Sequence, residues 1–218
     1  AGDATDPAIV KPLVDDADAV VHAIGLLFDS ESGLDKLNLI VSGSGSEPGS
    51  DSTYDRVTRL TAFNAIDAAV AKLRLPFSPR VPFAFVSAAE AGWPTVQFGD
   101  LVEERLAPDW LKRYLAAKRA VEAKLFDTSN ARAIRAVVYR PSLIWSWTKL
   151  DVLPIIPVFN LASALGVPFV DRTVRVSTLA DAIIAGLADD TVEGVQRFMQ
   201  MDDLAAAVQS QNAGASSA

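Results

Sequence analysis

The sequence predicts an α/β fold built on one parallel sheet. Three short apolar runs typical of buried strands lie at residues 19–24, 82–89 and 135–142, and segments of helical periodicity at 53–73 and 109–125 alternate with them. Strands that alternate with helices are joined by right-handed crossovers, which place the strands side by side with helices on both faces. With 218 residues, 50% of them hydrophobic, the chain is long enough for one well-buried domain, which we place at 1–208.

The first elements have clear boundary signals. Asp6 followed by Pro7 is typical of a helix N-cap with proline at the first helical position, and predicts a helix to about Asp15. The strand at 19–24 follows, and Gly25 ends it where a tight backbone is needed.

The next segment is polar and rich in serine and glycine, and we interpret residues 42–52 as a surface insertion. It lacks the spacing of a phosphate-binding G-x-G-x-x-G loop and has Pro48 where a helix would begin. The helix predicted after it carries apolar residues at helical spacing, namely Leu60, Phe63, Ile66, Val70 and Leu73.

Tyr114 and Lys118 lie four residues apart on the helix predicted at 109–125, so both side chains emerge from one face. A cation one turn away stabilises a phenolate whose pKa is otherwise about 10, which makes the pair a candidate for acid–base chemistry. The residues alone also allow a structural interpretation. In that alternative Tyr114, Val121 and Leu125 form the core-facing stripe and Lys118 lies at its edge.

Five motifs in chain order resemble the extended and atypical short-chain dehydrogenase/reductases, the NAD-dependent epimerase/dehydratase-like branch. They are GDATD, VVHAIG, YLAAK, RPSLIW and VRVSTLADAIIAGL, and the resemblance covers residues 2–187. It implies a Rossmann-like, doubly wound sheet with a small C-terminal lobe at 145–175. It also implies NAD or NADP as cofactor, with NADPH the expected form, and a glycine-rich loop near the N-terminus that is needed to bind it.

The resemblance also implies roles for individual residues. Tyr114 would be the acid/base, Lys118 its activator and a ribose contact, and Ser87 a donor to the substrate carbonyl. The cofactor would contact Asp3, Ala4, Ala23, Ile24, Gly25, Lys118, Arg140, Pro141, Ser142 and Leu143.

Two departures from the family pattern weaken the expectation of turnover. The sequence begins where the third family strand should end, so we expect the first β-α-β unit and its glycine-rich phosphate loop to be absent from the given chain. Ser87 lies one or two positions early, with Ala88 or Ala89 in the expected place, and Thr58 stands where many relatives have Asn. Loss of a carbonyl donor can lower the rate about 10²–10³-fold.

Within the family, HAIGLLFD, TYDRVTRLTAFNAIDAA and RYLAAKRAVEAKL resemble a mitochondrial group. That group includes the dehydrogenase associated with coenzyme Q biosynthesis and, more distantly, the dehydrogenase-like accessory subunit of respiratory complex I. This implies an ancillary or structural role among the protein subunits of a membrane assembly, peripheral on the mitochondrial inner membrane or in the matrix, with a plastid as the alternative. The competing class is an active NAD(P)-dependent oxidoreductase that uses Tyr114 and Lys118.

The segment 152–170 contains no charged residue and approaches the length that spans a bilayer. Its prolines, Pro154, Pro157 and Pro168, argue against an uninterrupted lipid-facing helix. It is either a buried part of the C-terminal lobe or an apolar surface for a membrane, a quinone-like molecule or a partner subunit. Trp145 and Trp147 beside it fit both interpretations.

Composition excludes other classes. The absence of cysteine rules out disulfides and thiol catalysis, and a single histidine, His22, argues against a histidine-based metal site or a Ser-His triad. On its strand end we expect His22 to be packed or hydrogen-bonded. A net charge of −7 with scattered Lys and Arg argues against nucleic-acid binding. The small, polar residues 209–218 are expected to form a flexible tail.

Overall fold

The computed structural model describes residues 2–38, 48–72, 78–146 and 156–215. A sheet of four strands has the order β1-β2-β3-β6, and β4 pairs with β5 in a second, two-stranded sheet. The strands are β1 Val20–His22, β2 Val81–Val86, β3 Ile134–Tyr139, β4 Ile144–Trp145, β5 Val174–Arg175 and β6 Gly194–Gln196.

The larger sheet is parallel. Strand β1 pairs parallel with β2, His22 opposite Phe85, and β3 pairs parallel with β6. Between β2 and β3, the amide of Val81 donates to the carbonyl of Ala133 at 2.9 Å and that of Ser87 to Tyr139 at 2.7 Å. The partners advance together along both strands, which is the pattern of a parallel pair. The predicted α/β class with a parallel, Rossmann-like sheet is confirmed, as are the three strands on which it rested.

Seven α-helices lie within the described residues. They are α1 Pro7–Asp15, α2 Thr61–Ala71, α3 Gly99–Leu106, α4 Asp109–Leu125, α5 Ile156–Ala164, α6 Val176–Ala188 and α7 Phe198–Ala215. Helix α1 begins as predicted, because a side-chain oxygen of Asp6 accepts the amide of Ala8 at 2.8 Å and Pro7 occupies the first turn. Its buried residues, Val10 and Val14, lie on the side that packs against α2.

The helix predicted over 53–73 has a different start. Asp55–Leu60 form a π-helical segment that passes directly into α2. A π-turn contains an extra residue, which shifts the following side chains by about 100° around the axis. Leu60, predicted on the buried stripe, is therefore 41% exposed, whereas Thr58 is completely buried. Leu73 lies outside the described residues.

The chain divides into two compact units. The first comprises 1–85 and 106–136, and the second 86–105 and 137–218. Strands β2 and β3 begin in the first unit and end in the second. The largest buried core side chains of the first unit are Ile66, Phe83, Phe85, Leu115 and Val121, and those of the second are Val137, Val138, Tyr139 and Met201. The single domain predicted over 1–208 stays a prediction.

The C-terminal residues are described as far as Ala215. Helix α7 continues to that residue, so the backbone is helical over most of the stretch predicted as a flexible tail. A helical backbone does not measure flexibility, and the flexible tail at 209–218 stays a prediction. Of the predicted insertion at 42–52 only 48–52 are described, and the apolar segment 152–170 is described from 156 onward. Among the described helices, none is long and apolar enough to cross a membrane.

Candidate functional site

The buried amine of Lys118 is the centre of the candidate site in the first unit. Lys118 lies on α4 and is only 4% exposed. Its Nζ is 5.0 Å from the ring centroid of Phe85 and 5.6 Å from that of Tyr114. Burial lowers the pKa of Lys118 to about 8, while the negative charge of Glu122, one turn further along, opposes this shift. An amine with this pKa changes its charge state close to neutral pH.

The end of strand β1 lies over this amine. A Cβ placed on Gly25 would be 3.5 Å from Nζ of Lys118 and 3.7 Å from Oγ1 of Thr58. Gly25 itself is exposed. Gly25 therefore brings exposed backbone without a side chain next to two buried polar groups.

Thr58 was noted in the sequence only as a departure from the family pattern. The π-helical segment turns its side chain inward, where it is 0% exposed, and its hydroxyl has no hydrogen-bond partner among the described residues. A buried hydroxyl without a partner is costly unless a ligand or a water satisfies it. No simple sequence pattern predicts a π-turn, so this group could not have been assigned in advance.

His22 is a buried, neutral side chain near the Lys118 amine. It is 3% exposed, and its Nε2 lies 2.9 Å from the hydroxyl of Thr61, which donates its own proton to the carbonyl of Val57 at 2.6 Å. Nε2 must therefore carry the imidazole proton. Burial lowers the pKa of His22 to about 4, and the positive charge of nearby Lys118 makes a smaller contribution in the same direction. The prediction that His22 is packed or hydrogen-bonded is confirmed.

Tyr114 lies between an anchored tyrosine and the Lys118 cation. Its ring meets that of Tyr54 edge-on, with centroids 5.6 Å apart, and the Tyr54 hydroxyl donates to the carbonyl of Leu27 at 2.7 Å. Burial raises the pKa of Tyr54 to about 12, so this tyrosine stays neutral. Of the core stripe in the structural alternative, Val121 and Leu125 are buried as that alternative expected, whereas Tyr114 is only partly buried and Lys118 is buried rather than at the edge.

A cleft of about 390 Å³ adjoins the end of β1 in the same unit. Three predicted cofactor residues, Asp3, Ala4 and Ile24, line it together with Arg56. The amide and hydroxyl of Thr5 donate to one carboxylate oxygen of Asp3 at 2.8 and 2.7 Å, and these hydrogen bonds lower the pKa of Asp3. The cleft therefore presents an ionised, oriented carboxylate.

The strand end Ala23–Gly25 connects this cleft with the amine. Ala23, Ile24 and Gly25 are all exposed, Ile24 lines the cleft, and Gly25 lies over Lys118. The first unit thus contains six of the ten residues predicted to contact the cofactor, namely Asp3, Ala4, Ala23, Ile24, Gly25 and Lys118. Arg56 was not predicted, because a single arginine in a charged helical turn is normally a solvent-exposed residue.

The remaining predicted residues form a second group in the other unit. Ser87 and Ser142 are 3% and 9% exposed, and neither hydroxyl has a hydrogen-bond partner in the described part of the chain. The amide of Ala89 donates to the carbonyl of Pro141 at 2.8 Å, which keeps these two strand ends adjacent. The carbonyl of Leu143 accepts the amide of Val174 at 3.0 Å and so holds the chain beyond Ser142 against β5.

Arg140 lies beside a cluster of charged groups that the sequence did not indicate. A Cβ on Gly92 would be 2.8 Å from its guanidinium, and the two residues line a small cavity of about 30 Å³ with Asp171 and Arg197. Asp171 is buried and accepts a hydrogen bond from Nε of Arg197 at 3.1 Å. Burial, with a further contribution from Asp171, raises the pKa of Glu90 to about 7. In the described ranges no group of His, Cys, Asp and Glu side chains could hold a metal ion.

Comparison with known proteins gives a structural likeness and no match in sequence. No protein-family model matches the sequence, and no curated protein matches it. Among solved structures, the chain is similar to the Bordetella bronchiseptica enzyme WbmF in complex with NAD+, at 16% sequence identity and a TM-score of 0.48. The match covers 96% of this chain and 62% of that chain, so this chain spans less than two thirds of the enzyme's length.

Proposed function

We propose that the protein binds a nicotinamide dinucleotide, NAD or NADP, at the carboxyl end of β1. The observation that carries the proposal is the buried amine of Lys118 beneath the exposed glycine at the strand end, with Nζ 3.5 Å from the position of a Cβ on Gly25. Ligands of open α/β sheets bind outside the carboxyl ends of the strands. A buried cation beside an exposed glycine in that place suits a polar ligand that approaches the backbone closely.

The residues present fit the adenosine and ribose portions of such a ligand. Asp3 and Ile24 line the cleft of about 390 Å³, where a carboxylate acceptor and an aliphatic side chain suit a base. Lys118 supplies ammonium donors for ribose hydroxyls, and Gly25 lets them approach. The nicotinamide ring, when bound, would accept or supply a hydride. Tyr114, partly buried beside the Lys118 ammonium, is the side chain placed to exchange a proton.

Titration with NADH and with NADPH tests this proposal directly. We expect saturable binding that Lys118→Ala weakens by about 10–100-fold, since the loss of a charge-assisted hydrogen bond costs about 1.5–3 kcal/mol. Lys124→Ala is the matched control, because Lys124 lies on the same helix and pairs with Asp67 at 2.6 Å outside the site. Equal affinities of the two variants would refute the role of Lys118.

We further propose an ancillary role within a mitochondrial membrane assembly linked to quinone or respiratory-chain biology, with a plastid as the alternative compartment. Support comes from the resemblance to the mitochondrial group and from Ala88 and Ala89, whose side chains cannot donate a hydrogen bond where the family places a serine or threonine. The buried hydroxyl of Ser87 is the remaining donor. Lys118 serves cofactor binding in this role without turnover.

The alternative is an active NAD(P)-dependent oxidoreductase, and the closeness of the Lys118 amine to the Tyr114 ring favours it. Tyr114→Phe separates the two roles, because it removes the proton donor and keeps the ring that packs on Tyr54. In the ancillary role this variant supports normal growth and normal assembly of the partner complex. Loss of function in cells by a Tyr114→Phe protein that still folds and assembles would establish the oxidoreductase instead.

A further inference from the structure

The carboxylate of Asp3 is carried by a short, closed turn beside the cleft of the first unit. The amide of Asp6 donates to the carbonyl of Asp3 at 3.0 Å, which closes residues 3–6 into a four-residue turn. The side chain of Asp6 then caps helix α1, so the turn is joined directly to that helix. We call residues 3–6 the Asp3 turn.

Within the Asp3 turn, one oxygen of the carboxylate is used and the other is open. The amide and the hydroxyl of Thr5 both donate to Oδ1 of Asp3, and a bond from an aspartate to the amide two residues on fixes the side chain against its own backbone. Within the described part of the chain, no group donates to Oδ2. Because Asp3 is exposed and lines the cleft, Oδ2 is available to a donor there.

A single side chain on helix α2 binds the two carbonyls at the centre of the Asp3 turn. Nδ2 of Asn64 donates to the carbonyl of Thr5 at 2.9 Å and to that of Ala4 at 3.2 Å. A primary amide has two N–H donors, so this one group can serve both carbonyls. The Asp3 turn is therefore attached on one side to α1 and on the other side to α2.

The attachment to α2 acts on the main chain and lies outside the cleft. Asn64 is partly buried and is not among the residues that line the cleft in the described structure. Any effect of Asn64 on a ligand in the cleft therefore passes through the position of the Asp3 turn. A ligand that binds a turn already held in place loses less free energy to ordering than one that has to order the turn itself.

We propose that Asn64 is a positioning residue for the base of the dinucleotide, because it holds the Asp3 turn where Oδ2 of Asp3 can accept the exocyclic amino group of adenine. The proposal rests on the dinucleotide binding proposed above and adds a residue that controls base selectivity. Hypoxanthine has a carbonyl oxygen in place of that amino group. It therefore offers no donor to the carboxylate and is repelled by it.

Titration with NADH and with reduced nicotinamide hypoxanthine dinucleotide tests the proposal on the full chain. We expect the wild type to prefer NADH by about 10–100-fold, the usual effect of a hydrogen bond to a charged group. Asn64→Ala should weaken NADH binding and reduce this preference to less than about threefold, because the released turn no longer directs the carboxylate. Asp67→Ala is the matched control. Asp67 lies on the same helix and pairs with Lys124 at 2.6 Å, so its variant should keep the wild-type preference.

A double variant tests whether Asn64 acts through Asp3. Asp3→Ala removes the acceptor and should abolish the preference for NADH by itself. Adding Asn64→Ala to Asp3→Ala should then change the ratio of the two affinities no further, because both substitutions remove the same contact. A further change in that ratio would show that Asn64 acts on the base by another route, and the proposal would be wrong.

A purely structural role of Asn64 gives a different result. In that case Asn64→Ala lowers the affinity for both dinucleotides by the same factor and keeps the preference of the wild type, which overturns the proposal. Equal affinities of the wild type for the two dinucleotides, or loss of the preference in Asp67→Ala, would also overturn it while dinucleotide binding itself stands. A wild type that binds neither dinucleotide would refute the proposed function, and this proposal with it.

Discussion

Replacing Gly25 by alanine should separate dinucleotide binding from folding. The added methyl would lie 3.5 Å from Nζ of Lys118 and 3.7 Å from Oγ1 of Thr58, which are ordinary contact distances that displace neither group. Gly25 is not among the positive-φ residues of the described chain, so alanine tolerates its backbone. We therefore expect the free energy of unfolding to stay unchanged or to rise by up to about 1 kcal/mol.

Binding should respond very differently. A hydroxyl that bonds to the Lys118 amine must approach to about 2.9 Å, and the new methyl occupies that space. Losing this charge-assisted hydrogen bond costs about 1.5–3 kcal/mol, or about 10–100-fold in the dissociation constant for NADH or NADPH. Isothermal titration gives the affinity, and urea unfolding of the same sample gives the stability.

A double variant provides the internal control. If Gly25→Ala acts by covering the amine, it should add little to the loss already caused by Lys118→Ala, because both remove one contact. Additive losses, wild-type affinity of Gly25→Ala, or a clear drop in its stability would each show that the amine beneath Gly25 is not the ligand contact.

Three further predictions concern charge and packing. The pKa of His22 is about 4 in the folded protein and 6.5 in the unfolded chain. The free energy of unfolding should therefore fall by about 3 kcal/mol as the pH is lowered from 6.5 to about 4. Urea unfolding across this pH range should show a smaller loss of stability for His22→Gln. Dinucleotide affinity should fall as the pH rises through about 8, where Lys118 loses its charge, and isothermal titration of Lys118→Ala should show no such step. Gly186→Ala should destabilise the protein by about 1–3 kcal/mol in urea unfolding, because its Cβ would lie 2.1 Å from the Tyr139 hydroxyl, and Tyr139→Phe should relieve much of this cost.

The parts of the fold that follow from local chemistry could be predicted from the sequence. The Asp6–Pro7 cap and the fully buried strand Ile134–Tyr139 carry signals that need no knowledge of the rest of the chain. The π-helical segment could not be predicted, since one extra residue in a turn leaves the apolar periodicity nearly unchanged. The buried position of the Thr58 hydroxyl results from this segment, so it could not be predicted either.

The candidate site was predictable only in outline. Spacing placed Tyr114 and Lys118 on one helical face, but burial of the lysine depends on the ring of Phe85 and on the strand end at Gly25, which are distant in sequence. The exposure of helix α5 could likewise not be predicted, because an apolar run has the same composition whether it is buried or exposed. In the structure the side chain of Asn160 attaches that helix to Thr173 through two hydrogen bonds.

The division of the chain into two discontinuous units has a consequence for synthesis on the ribosome. The chain passes between the units at residues 85/86, 105/106 and 136/137, so neither unit is one continuous stretch. At an elongation rate of about 5–20 residues per second, α4 with Lys118 is synthesised several seconds after β1 with His22. During that interval Val21 and Phe85 can form non-native contacts, because the helix that carries Lys118 has not yet been made. We therefore expect a chaperone that acts early to bind this part of the chain.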